Sequence, residues 1–272
     1  MSNVKGHSGP GHPYHLVNPS PWPLLAALGA FGITFGAVHW WQGGGKEILF
    51  GGFAFVILMA IMWWRDVVRE AQVTKDHTSE VRHGLRVGMG LFISSEVMFF
   101  VAFFWAYFHN RFGISPVVTQ WPPANIAPMD AWGIPFINTC ILLTSGLTVT
   151  WAHHALKHGK RAQLVLGLLV TVLLGATFLG LQAHEYGEAT FAFKDGIFPS
   201  VFYMATGFHG FHVFCGTIFL IVCMFRSMKG DFTPEQHVGF EAAAWYWHFV
   251  DVVWIFLFVW VYWWGGYVHH AG

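Results

Sequence analysis

The chain has 272 residues, of which 55% are hydrophobic and only 10% are charged. Globular domains carry about a quarter charged residues, so this composition is typical of a polytopic membrane protein. The 14 Lys and Arg residues balance 14 Asp and Glu residues, and a formal net charge of zero argues against binding to nucleic acid.

Seven stretches of about 20 mostly apolar residues each predict a transmembrane helix. They cover residues 22–41, 47–66, 87–108, 133–153, 163–183, 197–225 and 241–264. We therefore predict an all-α integral membrane protein. The N-terminal tail shows no pattern of a cleaved signal peptide, so the first span is expected to act as an uncleaved signal-anchor.

The Lys and Arg residues predict how the chain is oriented. With seven spans, all of them except Lys46, Arg111 and Lys194 fall on the side that holds the N-terminus. The positive-inside rule then places the N-terminus inside and the C-terminus outside. The predicted segments are an inner tail (1–21), helices one and two (22–66), an inner loop (67–86), helices three to seven (87–266) and an outer tail (267–272).

Glu96 is the candidate functional carboxylate. It lies near the middle of the third span, where the phenol of Tyr107 is the only other ionisable group. A carboxylate at that depth costs several kcal/mol by most estimates, so it is expected to be protonated, partnered or hydrated. A role in proton relay or gating and a role as a protonated link between helices both remain open.

The last two spans contain pairs of polar residues with helical spacing. His209 and His212 share one face of the sixth span, as His248 and Asp251 do in the seventh. Two His residues are too few for a zinc site, although haem ligation on facing helices is an alternative to helix packing. His248 and Asp251 either neutralise each other or meet a partner subunit, and catalysis is not expected because no nucleophilic Ser accompanies them.

The inner end of the second span resembles a membrane interface. Trp63 and Trp64 followed by Arg65 are typical of an aromatic belt beside a phosphate-binding cation. Arg69, His77 and Arg226 fall at the same predicted depth. An ordinary membrane anchor and a specifically bound phospholipid are both compatible with this pattern.

Four segments resemble subunit III of haem–copper cytochrome c oxidases of the aa3 type. They are WWRDVVREA (63–71), SSEVMFFVAFFWAYFH (94–109), TGFHGFHVFCGTIFLIVC (206–223) and FEAAAWYWHFVDVVWIFLFVWVYWW (240–264). The resemblance implies a non-redox subunit in which the first two helices are separated from the other five by a V-shaped, lipid-filled cleft. It also implies support of proton uptake, O2 access and turnover stability of the oxidase.

The same resemblance implies roles for particular residues. Glu96 corresponds to a carboxylate that reacts with carbodiimides. Apart from the resemblance, the helical spacing of His209, His212, His248 and Asp251 favours a structural role for these polar residues. The chain itself is expected to carry no cofactor beyond structural phospholipids, whose headgroups would contact Trp63, Trp64, Glu70, His77, Arg86, Arg226 and Lys229.

The expected partners are subunit I in direct contact, subunit II and small accessory subunits. Haem a, haem a3 and copper are expected on partner subunits and not on this chain. The expected location is a bacterial plasma membrane, with the N-terminus cytoplasmic and the C-terminus periplasmic, in preference to the mitochondrial inner membrane. His7, His12 and His15 would either collect protons on the inner side or belong to an irregular tail.

Other classes of membrane protein fit less well. A free-standing proton-coupled transporter using Glu96 is the main alternative, yet the sequence shows neither an internal repeat nor a broken helix. A retinal photoreceptor needs a Lys in its last span, and residues 241–264 contain none. A membrane cytochrome would need His209, His212 or His248 as haem ligands.

Overall fold

The computed structural model describes residues 14–15, 19–74, 77–113, 120–123 and 126–266. These residues form seven long helices and no strands, and each helix is long and apolar enough to cross a membrane. The predicted all-α fold with seven spans is therefore confirmed. The helices are α1 (Trp22–Trp41), α2 (Glu47–Arg69), α3 (Ser79–Arg111), α4 (Ile134–Lys157), α5 (Arg161–Glu188), α6 (Ile197–Lys229) and α7 (Val238–Phe256).

Two helices continue as π-helices. A π-helical turn (Glu70–Thr74) follows α2, and a π-helical segment (Leu257–Trp263) with a last short turn (Trp264–Gly266) follows α7. π-Helical turns occur frequently at functional sites. The first of them holds Glu70, one of the predicted headgroup residues.

Several helices extend beyond the apolar spans seen in the sequence. α3 begins at Ser79 rather than at residue 87, and α5 ends at Glu188 rather than at residue 183. Most of the segment 67–86 is consequently helical rather than a loop. Hydropathy marks the part of a helix that lies in hydrocarbon, whereas polar residues of good helix propensity prolong the helix beyond it.

The chain divides into two units, one ending at Leu85 and one beginning at Arg86, so that the division falls within α3. In the first unit, α1 and α2 form an antiparallel hairpin that turns at Gly43, whose φ is +88°. At the other end of the hairpin, the Trp22 indole donates a hydrogen bond to Asp66, with 2.8 Å between Nε1 and Oδ2. This bond joins the beginning of α1 to the last turn of α2.

Close contact between α1 and α2 depends on glycine. A Cβ atom added to Gly36 would lie 2.5 Å from the backbone nitrogen of Leu49, and one added to Gly52 would lie 2.8 Å from that of Ile33. Small residues allow membrane helices to approach closely where lipid provides no hydrophobic driving force. The two glycines therefore set the distance between α1 and α2.

In the second unit, α4 to α7 pack around Trp247 of α7, which is 0% exposed. Its ring occupies space left by two glycines, because a Cβ atom on Gly175 or Gly216 would come within 2.7 or 2.9 Å of it. The indole nitrogen donates to the hydroxyl of Ser145, 2.8 Å away. Trp247 thus joins α4, α5, α6 and α7 in one core.

We expect a Gly36→Ala substitution to weaken the α1–α2 hairpin by about 1–3 kcal/mol, because its methyl group meets rigid backbone. Gly51→Ala is the matched control, since a Cβ atom there meets nothing within 4 Å. The measurement is the thermal stability of the assembled complex that contains the variant. Equal melting temperatures for the two variants would contradict the role assigned to Gly36.

Candidate functional site

Glu96 of α3 pairs with His212 of α6. The carboxylate oxygen Oε2 lies 2.8 Å from Nε2 of the imidazole. In the isolated chain, 22% of the Glu96 side chain is exposed, against 9% of the His212 side chain. The ionisable group at the centre of the third span is therefore partnered and partly buried within this chain.

The hydrogen bonds of His212 fix where a proton lies. Its Nδ1 is 2.6 Å from the carbonyl oxygen of Phe208, one turn earlier in the same helix. A carbonyl only accepts, so Nδ1 carries a hydrogen and donates it. The bond between Nε2 and Glu96 then contains one proton, held either as imidazolium with carboxylate or as neutral imidazole with carboxylic acid.

Aromatic side chains surround this pair. The His212 ring centroid lies 5.0 Å from that of Phe100 and within 6.3 Å of four others, those of Phe99, Phe211, Tyr246 and Phe249. Ser94 and Ser95 take no part in the pair, because their hydroxyls donate to backbone carbonyls of α3. The apolar surroundings strengthen the Glu96–His212 bond by excluding other partners.

His209 faces a different helix from His212. It is 1% exposed, and its Nε2 lies 3.1 Å from the carbonyl oxygen of Val250 in α7. Its ring also packs against Trp254, with 5.1 Å between centroids. The two imidazoles therefore link α6 to two neighbours rather than converging on one metal ion.

His248 and Asp251 form a second imidazole–carboxyl pair. Nδ1 of His248 is 3.4 Å from Oδ2 of Asp251, and its Nε2 is 3.1 Å from the hydroxyl of Thr150 in α4. That hydroxyl also donates to the carbonyl oxygen of Gly146. A hydroxyl group thus does accompany the pair, but it is engaged by helix backbone, and the arrangement joins α4 to α7.

Two of the predicted headgroup cations have partners inside the second unit. Nε of Arg86 lies 2.8 Å from Oε2 of Glu241, which ties α3 to α7. Arg226 lies 3.4 Å from Asp231 and stacks over the Phe232 ring at 4.4 Å. Lys229, in the last turn of α6, is exposed.

In the first unit, Trp64 at the end of α2 is 68% exposed and Trp63 is 37% exposed. Glu70 and His77 instead lie beside His15, and one ligand atom from each lies within 4.8 Å of the other two. His7 and His12, predicted to collect protons, lie outside the described residues. The structure thus groups His15 with two residues that the sequence assigned to lipid.

Glu185 escaped the sequence analysis because the fifth span was predicted to end at residue 183. α5 continues to Glu188, and Glu185 is only 1% exposed, with no hydrogen-bond partner among the described residues for either carboxylate oxygen. It lines a cavity together with Asp130 and Glu188. A signal was present in the sequence, since Phe178, Gln182 and Glu185 continue the spacing of three and four residues that marks the buried face of α5.

A model of the cytochrome c oxidase subunit III family matches residues 12–266. The chain is 56% identical over 261 residues to cytochrome c oxidase subunit 3 of Marchantia polymorpha, covering 94% of this chain and 97% of that protein. It is 55% identical over 261 residues to the same subunit of Arabidopsis thaliana, with 94% and 97% coverage. For Branchiostoma lanceolatum, identity is 52% over 257 residues, with 93% and 97% coverage.

These similarities confirm the family expected from the four motifs, and they give no support to a free-standing transporter. The expected bacterial plasma membrane is wrong. The relatives include the subunits of a liverwort, a green alga, a flowering plant and a cereal, and they indicate the mitochondrial inner membrane. The motifs identify the subunit but carry no signal for the membrane that holds it, so sequence patterns alone misplaced it.

We expect Glu96 and His212 to stabilise the fold jointly. Glu96→Ala and His212→Ala should each weaken attachment of α3, and the double variant should lose about 1 kcal/mol less than the sum of the two, as is typical of hydrogen bonds within membranes. The measurement is a double-mutant cycle on thermal dissociation of the assembled complex. Ser94→Ala, which removes only a bond within α3, should leave stability unchanged, and strict additivity would contradict the pairing.

Proposed function

Because the chain belongs to the cytochrome c oxidase subunit III family and is thereby a non-redox subunit of that oxidase, we propose that it sustains turnover of the redox subunits. It would do so by holding phospholipids, by keeping a path for O2 and by supporting proton uptake. The redox partners would be subunit I, in direct contact, and subunit II, with small accessory subunits around them. Haem a, haem a3 and copper would belong to these partners.

The observation that best supports a non-catalytic role is that the intramembrane histidines bond to neighbouring helices. His209, His212 and His248 each contact another helix of this chain through Nε2. Each of these bonds joins a different pair of helices, so each imidazole has a structural partner within this chain. These residues therefore hold the helices together, and the redox chemistry falls to other subunits.

Phospholipid binding is proposed from exposed side chains near the ends of two helices. Trp64 presents an aromatic surface of the kind that lies at headgroup depth, and Lys229 presents an exposed cation. Trp63, Arg86 and Arg226 are further proposed headgroup contacts. Arg86 and Arg226 would reach a phosphate through the guanidinium nitrogens that their carboxylate partners leave available. The lipid-filled cleft expected from the family is part of this proposal.

For Glu96 we propose a role in keeping the path for O2 apolar rather than in proton pumping. The proton in the Glu96–His212 bond can shift between the two groups without changing the charge of the pair, so the pair adds no net charge to the hydrocarbon. A neutral pair among aromatic rings leaves an apolar region through which O2 passes readily. This arrangement would also account for reaction of the protonated carboxyl with carbodiimides.

Removal of the chain from the purified oxidase tests the proposal. The initial rate of O2 reduction should remain substantial, since the redox centres are untouched, whereas activity should decay several-fold faster during turnover or proton uptake should become slower. Oxygen consumption and proton uptake, followed over time, are the measurements. Readdition of the chain should restore both, and unchanged sustained activity without it would refute the supporting role.

We further expect Lys229→Ala and Trp64→Leu to lower the amount of phospholipid that copurifies with the complex. Lys229 loses a charge attractive to phosphate, and Trp64 loses its interfacial ring. Trp41→Leu is the matched control, because Trp41 is 92% exposed but lies at the opposite end of the hairpin. Mass spectrometry of bound lipid is the measurement, and equal losses in all three variants would argue against a specific headgroup contact.

A further inference from the structure

Three potential metal ligands meet in the first unit from three separate parts of the chain. His15 precedes α1, Glu70 begins the π-helical turn after α2, and His77 lies just before α3. One ligand atom of each, an imidazole nitrogen or a carboxylate oxygen, lies within 4.8 Å of the other two. The rings of His15 and His77 are 6.2 Å apart between centroids and tilted by 57°.

These distances suit a small divalent ion. Bonds of about 2.0–2.1 Å from tetrahedral Zn²⁺ to imidazole nitrogen and carboxylate oxygen place neighbouring ligand atoms about 3.3 Å apart. Small rotations of the side chains, which move each ligand atom by about 1–2 Å, would bring the three atoms to that spacing. All three residues are partly buried, so part of the shell of competing water is already removed.

We propose that His15, Glu70 and His77 form a binding site for Zn²⁺ or a similar divalent transition-metal ion. Two imidazoles and one carboxylate are a ligand set that zinc uses when a fourth position is left for water. The oxygen-preferring ions Mg²⁺ and Ca²⁺ fit poorly, because two of the three ligands are nitrogen. A phospholipid headgroup that contacts Glu70 and His77 is the competing occupant, and it requires no ligand from His15.

Local structure holds two of the ligands in position. Glu70 opens the π-helical turn, immediately after the last regular turn of α2, and its backbone stays helical with φ −59° and ψ −40°. Nη1 of Arg82 donates to the carbonyl oxygen of His77 at 2.9 Å, which fixes the backbone of that residue against the first turns of α3. The ion would therefore fasten the segment around His15 to the connection between α2 and α3.

The experiment uses the complete oxidase complex, stripped with a chelator and then equilibrated with zinc chloride. Zinc per complex is counted by mass spectrometry for the wild type and for His15→Gln, Glu70→Gln and His77→Gln. The wild type should bind one ion more than each variant at low micromolar zinc, and the variants should need at least tenfold more zinc. His39→Gln removes an exposed imidazole at the far end of α1 and should bind as the wild type does.

X-ray absorption on the zinc edge gives an independent answer. The difference between the wild type and Glu70→Gln should show nitrogen and oxygen neighbours at about 2.0 Å, with the outer-shell scattering of imidazole. If a Gln variant does not assemble, His77→Cys, which supplies another zinc ligand, should restore both assembly and binding. Equal zinc in the wild type and the three variants overturns the proposal, as does copurified phospholipid lost in place of zinc.

Discussion

The structure depends on one constraint, which is the high cost of leaving a polar group unpaired within hydrocarbon. The bond between Glu96 and His212 meets this constraint for the central carboxyl of α3. Because Nδ1 of His212 is already committed to the backbone of its own helix, the imidazole is oriented before it meets α3. Removing one partner would leave either the Glu96 carboxyl or Nε2 of His212 without this bond among aromatic rings, which is costly.

The same constraint explains how the other helices of the second unit are joined. Two buried tryptophans of α7 each make one polar bond to α4. Trp247 packs against Gly216 and donates to Ser145, and Trp254 donates to Thr139 of α4. Packing brings the helices together, while the polar bond selects one rotation of each helix about its axis, since no other rotation satisfies the indole nitrogen.

The fold could be predicted from the sequence because hydropathy and length are local properties, and Glu96 could be found because it is an exception to them. Its partner could not be predicted, since His209 and His212 share one helical face and only the rotation of α6 decides which of them reaches α3. The pairing of Arg86 with Glu241 joins residues 155 positions apart and leaves no local pattern. Glu185 was missed for the opposite reason, because a hydropathy boundary was taken as the end of a helix whose buried face continues.

The two imidazole–carboxyl pairs differ in what they leave accessible. In the first, 22% of the Glu96 side chain and 9% of the His212 side chain are exposed. In the second, Asp251 is enclosed while 46% of the His248 side chain is exposed on the surface of α7. A polar edge at the surface of a membrane helix is costly against lipid, and its cost falls when another polar surface covers it. We propose that a neighbouring oxidase subunit covers His248 on this part of α7.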